Sequence, residues 1–426
     1  MKFKILPVIL SCFISHVISA GLLAQDKTNS WPQWRGPGRD GICMETGLLK
    51  TWPEGGPALL WKITGLGKGY SSPAIAGDRI VTMGDRGDGQ FVIALDRTSR
   101  KEVWAVRICG NWDDGSRGTP TLDGDKVYAL GAHGDLVCLN LADGKEAWHK
   151  NMAADFGGQM MSGWGFSESP LIDGAKLLCT PGGQEKTVVA LDKNTGDLIW
   201  ACAVPPLGSR GKEGAGYSSI VAADIQGVRQ YIQLLGTGLV GMDAETGTFL
   251  WGYNPIANHV ANIATPIVQG NLIFCSTAYG TGSALVKITN SDNQWKAEEV
   301  YFLDSNTYQN HHGGLVLVDG FLYGGHGQNA GAPVCLEMAT GKILWKEKAL
   351  DKGSAAVLYA DGNLYFLYEA GTLALIQADP QKFTVSGSFA VPEESGPKWA
   401  HPVILDKQLY IRVHDVLFCY DIGQKG

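Results

Sequence analysis

The residues best suited to chemistry are histidines set in polar connecting stretches rather than in apolar runs. His133, His259, His311, His312, His326, His401 and His414 all lie in such stretches, and of the histidines beyond residue 24 only His149 does not. A second set leads into successive runs of alternating apolar residues: Tyr70, Arg117, Glu168, Tyr217, Asn262, His311, Lys352 and Trp399. Converging His, Glu, Arg and Tyr suit an anionic or sugar ligand, or a divalent metal. The candidate ligand-binding set is therefore Tyr70, Arg117, Glu168, Tyr217, His311, His312, Lys352, Trp399 and His401. Loops are polar for reasons unrelated to function, so the set must be shown to converge.

Other motifs lack the context they need. Gly36-Pro37-Gly38-Arg39-Asp40-Gly41 matches a dinucleotide-binding glycine pattern, but no strand precedes it and no helix follows. There is no His-Glu-x-x-His, no Gly-x-Ser-x-Gly and no phosphate-binding loop. The cysteines show no zinc spacing or disulfide framework. Cys138, Cys335 and Cys419 occupy a position where equivalent segments carry Ala94, Ala190 and Gly241, so they read as small packing residues.

The elements that must position these residues are strands. Fifty-seven Gly, 13 Trp and only 18% charged residues in a chain of 426 describe a turn-rich, aromatic-rich β protein. No stretch after residue 30 sustains helical apolar spacing. With 35 basic and 42 acidic residues the chain has no cationic footprint for nucleic acid.

One phrase recurs: a small residue, an apolar one, an acid or amide, a Thr/Asp-Gly turn, then Trp four residues past the Gly. Ala94-Leu95-Asp96 leads to Trp104, Cys138-Leu139-Asn140 to Trp148, and Ala190-Leu191-Asp192 to Trp200. Gly241-Met242-Asp243 leads to Trp251 and Cys335-Leu336-Glu337 to Trp345. Two degenerate copies run from Ala284-Leu285-Val286 to Trp295 and from Ala374-Leu375-Ile376 into Phe383; a last one, Cys419-Tyr420-Asp421, has no Trp. A second phrase precedes each, opening at Ser72, Thr119, Ser169, Ser218, Thr265, Gly313, Ala355 and His401, some 42 to 50 residues apart. Period-2 alternation bounded by Gly/Asp turns means antiparallel hairpins, and four strands per unit of about 40–50 residues is the mark of a β-propeller.

The ends complement each other. The last unit lacks its Trp strand, while an orphan one, Ala58-Leu59-Leu60-Trp61-Lys62, precedes the first opening. The expectation is an all-β, eight-bladed propeller of four-stranded antiparallel blades over 58–422, closed by an N-terminal strand. In a four-stranded blade the loops between strands 2 and 3, and from strand 4 to the next strand 1, share one face. That face would hold seven of the eight histidines.

The repeat Ala-x-Asp-x-x-Thr-Gly-x-x-x-Trp resembles that of the pyrroloquinoline-quinone (PQQ) repeat propellers over roughly residues 58 to 422. Trp31-Pro32-Gln33-Trp34-Arg35-Gly36-Pro37 and Gly69-Tyr70-Ser71-Ser72-Pro73 are similar to the start of exported bacterial PQQ-binding-like members. The resemblance implies either a quinoprotein dehydrogenase, holding PQQ and calcium, or a non-catalytic propeller such as the outer-membrane barrel-assembly lipoprotein. Those dehydrogenases carry a disulfide between neighbouring cysteines facing the quinone; this chain has no Cys-Cys pair, so PQQ is not expected. The leading expectation is a non-catalytic binding or scaffolding propeller of the cell envelope, with an envelope protein or a glycan as partner. The alternatives are a metal-assisted polysaccharide lyase or hydrolase on the His-rich face and a PQQ-dependent oxidoreductase.

Residues 1–24 read as a signal peptide. Lys2 and Lys4 precede a largely apolar stretch to Leu23, and Ala20 and Ala24 offer cleavage points before Gln25. Removal would take the formal charge from −7 to −9 and leave a periplasmic or otherwise exported protein, with 25–57 as an N-terminal extension.

Overall fold

The computed structural model describes residues 30–392 and 396–425. The signal-peptide reading of 1–24 falls outside them. Eight antiparallel blades form the ring, each built on four strands. Blade 1 runs Ala74–Ala76, Arg79–Arg86, Gly89–Asp96 and Glu102–Gly110. The pattern repeats through blade 7, from Ala355–Ala360 to Val385–Ala390. Blade 8 has Val403–Leu405, Gln408–Val413 and Val416–Asp421, and its outer strand is Ala58–Ile63 from the other end of the chain. Trp61 faces Cys419 and Lys62 faces Phe418, so the orphan strand closes the ring. No helix among the described residues is long and apolar enough to cross a membrane.

The repeated phrase has a mechanical explanation. The acid accepts the next backbone N–H groups: Asp192 takes those of Asn194 and Thr195 at 2.8 and 3.1 Å, which sets the turn. The Trp lies opposite the small residue, as Trp148 does Cys138 and Trp200 does Ala190. It is buried against the following blade. Trp148 Nε1 donates to the Lys193 carbonyl, and a Cβ on Gly196 (φ +74°) would come within 2.9 Å of the indole. The turn glycine of one repeat is therefore the floor for the tryptophan of the one before. Trp104 over Gly144 and Trp200 over Gly247 repeat the arrangement.

The degenerate copies resolve differently from the sequence reading. In blade 5 the hairpin lengthens to Gly282–Ser291 and Gln294–Asp304, and Trp295 faces Asn290 at its far end. Phe302 stands opposite Ala284, and Tyr301 takes the wedge place over Gly341, its hydroxyl donating to the Met338 carbonyl at 2.6 Å. In blade 7 Phe383 lies outside the strand, and Ser388 faces Ala374. The missing indole comes from the N-terminal extension: Trp52 is buried with its ring 5.3 Å from Phe389 and 5.9 Å from Tyr365.

That extension does more. Ser30–Trp31 runs antiparallel to the innermost strand of blade 1, and Ile42–Cys43 runs parallel to that of blade 7. Innermost strands surround the axis, so residues 30–43 form a finger rising and descending inside the channel. Its tip is the glycine-rich stretch that mimics a dinucleotide motif, folded by Gly36 N–H to Gln33, Arg39 N–H to Gly36 and Gly41 N–H to Arg35. The finger touches seven blades. Besides blades 1 and 7, Pro32 accepts from Leu122, and Arg39 donates to Ser169 and Pro170. Trp34 reaches Thr265 at 3.2 Å, Arg35 reaches Leu315, and Trp34 packs on His401 with ring centres 4.5 Å apart.

Closure is fastened by one side chain. Arg412, on the second strand of blade 8, is 1% exposed. Its guanidinium donates to the carbonyls of Ser71, Met83, Leu66 and Gly67 and to the Thr82 hydroxyl, all on blade 1 or its lead-in, while Nε donates to its own blade at His414.

Candidate functional site

Above the fingertip a cavity of about 230 Å³ opens on the face that carries the 4–1 loops. Its floor is Trp34, Arg35 and Gly314. Gly314 has φ +68°, and a Cβ there would collide with the Arg35 guanidinium, so glycine is what lets the fingertip seat. Tyr70 and Trp399 form one wall, ring centres 4.5 Å apart. His311 and His312 form the next, their rings 4.3 Å apart, with His312 4.9 Å from Trp399. Tyr217 and Tyr279 stand on the other side, and Asp114, Arg117 and the 41%-exposed Trp164 make the rim.

Most of these groups are already held. Arg117 donates to both carboxylate oxygens of Asp114 at 2.6 and 2.7 Å and to the Trp164 carbonyl. The Tyr217 hydroxyl contacts Ser162 Oγ at 2.7 Å, and Ser162 donates to Val260, which anchors the long 159–164 loop. His311 is fixed at both nitrogens, Nδ1 by Ser354 at 3.0 Å and Nε2 by the Tyr279 hydroxyl at 2.9 Å. The exceptions are telling. Nε2 of His312 and of His401, Nε1 of Trp399, and Nε and Nη1 of Arg35 have no partner within the protein. These five atoms belong to residues that line the cavity but are themselves buried, so a molecule in the cavity would meet them only after local rearrangement.

Burial sets the charges. It pushes His311 down to about 4 and, with the Arg35 charge adding, His401 to about 3; His312 falls well below its ordinary value. Arg35 is lowered to about 10 by burial yet stays cationic, its charge offset through space by Asp40. The cavity thus holds neutral imidazoles and two guanidinium groups.

A pH effect follows. Because folding lowers the imidazole pKa values, the unfolded chain takes up protons first, and stability is lost as pH falls from about 6.5 toward about 4. Glu168 works oppositely: burial raises it from 4.5 to about 7, so its contribution is lost as pH rises through that window. Several imidazoles outweigh one carboxyl. Thermal melts should fall between pH 6.5 and 5, by roughly 1.4 kcal/mol per buried imidazole per pH unit, and His401→Asn should flatten the profile.

Of the nine sequence candidates, Tyr70, Arg117, Tyr217, His311, His312, Trp399 and His401 line the cavity. Glu168 does not. It is 3% exposed and accepts from Thr180 N–H at 2.7 Å, the Thr180 hydroxyl at 3.1 Å and Gln233 at 3.2 Å, bracing the start of blade 3 against blade 4. Lys352 is exposed and also lies outside it. Asn262 is buried on the Leu235 and Gly236 carbonyls. Trp34, Arg35 and Tyr279 escape a reading based on repeats: two sit on the non-repetitive finger, one on a 2–3 turn.

Among the described residues no three His, Cys, Asp or Glu side chains gather to hold a metal. The one carboxylate lining the cavity, Asp114, is engaged by Arg117. Calcium takes six to eight oxygens, and the eight described cysteines are all free. The donor set does not match a quinone–calcium pair.

A closed ring of eight blades with a tryptophan wedged between neighbours defines a PQQ-repeat β-propeller. The family model described as outer membrane protein assembly factor BamB matches residues 54–163 and 88–347, and the chain belongs to that family. No curated protein matches it in sequence. Among solved structures it is similar to BamB from Moraxella catarrhalis, with a TM-score of 0.62 at 15% identity over 86% of this chain and 99% of that one. It is similar also to the quinohemoprotein alcohol dehydrogenase of Comamonas testosteroni, at 0.64 and 12% over 94% and 81%. The computationally designed Ika8 protein follows at 0.56 and 12% over 90% and 99%. At these identities the likeness is one of fold.

Proposed function

We propose that this is a non-catalytic binding propeller of the cell envelope, working through its loop face and the cavity there. The observation that carries the reading is the blind cavity, floored by the chain's own finger and walled by Tyr70, Trp399, His311, His312 and Tyr217. The family's description as an outer-membrane assembly factor agrees with an envelope setting. The apolar stretch to Leu23 agrees with export. Cell fractionation with mass analysis of the amino terminus tests this: the chain should leave the cytoplasm without residues 1–24. An intact leader in the cytosol would overturn the setting.

Binding itself has a separate check. Arg117→Ala and Trp164→Ala should weaken capture of envelope glycans or proteins tenfold or more while shifting the melting temperature little, as rim changes outside the core do. Variants that bind as well as the natural chain would move function elsewhere.

A further inference from the structure

The cavity offers carbon rather than charge. Trp399 is only half-buried, yet its single polar ring atom, Nε1, is fully buried, so the ring surface it turns to the space is carbon. Trp34 spends its Nε1 on Thr265 at 3.2 Å, and the hydroxyls of Tyr217 and Tyr279 are held by Ser162 and His311. The wall hydroxyls of Ser169 and Ser219 already accept the N–H groups of Thr119 and Ser169. Charges cancel in pairs: Arg117 meets both oxygens of Asp114, and Arg35 is opposed by Asp40. Burial keeps the three imidazoles neutral at pH 7.

Shape and solvation then select the guest. The fingertip closes the floor, so a long acyl chain would run out of depth. A sugar could stack, but its hydroxyls would lose water against walls whose polar atoms are bound or buried. A flat apolar ring loses nothing there and gains offset and edge-to-face contacts with the aromatic walls. An apolar cavity of roughly 150 Å³ holds benzene. About 230 Å³ therefore leaves room for one ring with a substituent. At the mouth Trp164, 41% exposed and 5.8 Å from Tyr217, carries the aromatic wall out to solvent beside the Asp114–Arg117 pair.

We propose that the cavity binds one neutral aromatic ring, lying among Trp34, Tyr217, Tyr279 and Trp399 with its polar substituent left at the mouth beside Asp114 and Arg117. A free phenol and an aromatic side chain on a partner segment share this chemistry. The assignment rests on the reading of the cavity as a binding site and deepens it by naming what enters.

The experiment is calorimetric titration of the whole exported chain with p-cresol, its saturated analogue methylcyclohexanol, methyl glucoside and N-acetyltyrosinamide. The cresol should bind at least about tenfold tighter than the saturated ring, because only an aromatic guest makes ring-to-ring contacts with several walls at once. The glucoside should bind more weakly than either. N-acetyltyrosinamide matching the cresol would assign the ring to a partner segment, and a marked preference for the cresol would assign it to a free phenol; both uphold the ring. Equal affinity for the cresol and methylcyclohexanol, or tighter binding of the glucoside, would overturn it while leaving a binding cavity standing. Ile263→Trp, which fills the space from a half-buried wall position, should weaken cresol binding tenfold or more. Unchanged affinity in that folded variant would place the ring elsewhere and sink the proposal. Should Ile263→Trp fail to fold, the ratio of aromatic to saturated ring on the natural chain decides alone. If none of the four binds, the assignment falls, and the cavity reading is then judged by whether Arg117→Ala and Trp164→Ala still weaken capture of envelope material.

Discussion

Arg412→Met should destabilise the protein by about 3–5 kcal/mol, although the substitution keeps the stem's volume and removes a buried charge. The reason is what it leaves behind. Four carbonyls and a hydroxyl on the blade 1 side, and one carbonyl in blade 8, lose a donor at a buried seam. Each unsatisfied buried acceptor costs about 1–3 kcal/mol, and relaxation toward water recovers part of the sum. Burial lowers the Arg412 pKa to about 9, with Asp415 and Asp85 opposing, so the group remains charged at neutral pH. Arg412→Lys should recover only a fraction, because an ammonium cannot reach acceptors spread across a planar fork. Urea titration measures both. An Arg412→Met midpoint equal to that of the natural chain would show the seam to be held by strand pairing alone.

Trp148→Ala should cost a comparable 3–5 kcal/mol, the range for truncating a large buried aromatic. The indole wedges between blades 2 and 3, seated on Gly196 and bonded to the Lys193 carbonyl at 2.9 Å. Gly196→Ala should also destabilise, by about 1–3 kcal/mol, since its Cβ meets the indole at 2.9 Å and its φ of +74° strains any L side chain. The two effects are not independent. With the indole gone, the added methyl has room, so the double variant should cost less than the sum of the singles. Simple additivity would separate glycine from wedge. Intact melting of Trp148→Ala would make the indole an exposed platform rather than a packing group, against its 8% exposure.

The ring was legible because its unit is short and repeated. Each Gly-to-Trp interval reports the same local contact, and eight openings with complementary ends leave little freedom in topology. Counting intervals fails where geometry changes under the count. In blade 5 the lengthened hairpin carries Trp295 away from the seam and brings Tyr301 to it, so a match by residue type picks the wrong aromatic. In blade 7 the replacement indole, Trp52, lies more than 300 residues upstream, where no period points to it.

The candidate site shows the same division. Lead-in positions to innermost strands can be computed from the repeat, and Tyr70, Arg117, Tyr217, His311 and Trp399 do share a cavity. Position does not fix direction. Glu168 holds the same place in its blade, but Thr180 and Gln233 offer it donors within the protein, and it turns to them. The floor was invisible. Trp34 and Arg35 belong to a segment without strand alternation, and only the channel around them gives their side chains a destination.

The finger also changes what kind of object the ring is. Blades in a ring touch two neighbours each, and such an array can loosen one unit at a time, its coupling passing only from neighbour to neighbour. Residues 30–43 bond or pack against seven of the eight blades at once, joining units that lie across the axis from each other. The wheel thereby acquires an axle with spokes. Opening any of those seven blades now strains a hub shared with the others, which couples units that are not neighbours in the ring. The strand that seals the rim, Ala58–Ile63, follows the finger on the same stretch of chain, so hub and seal are tied to one another.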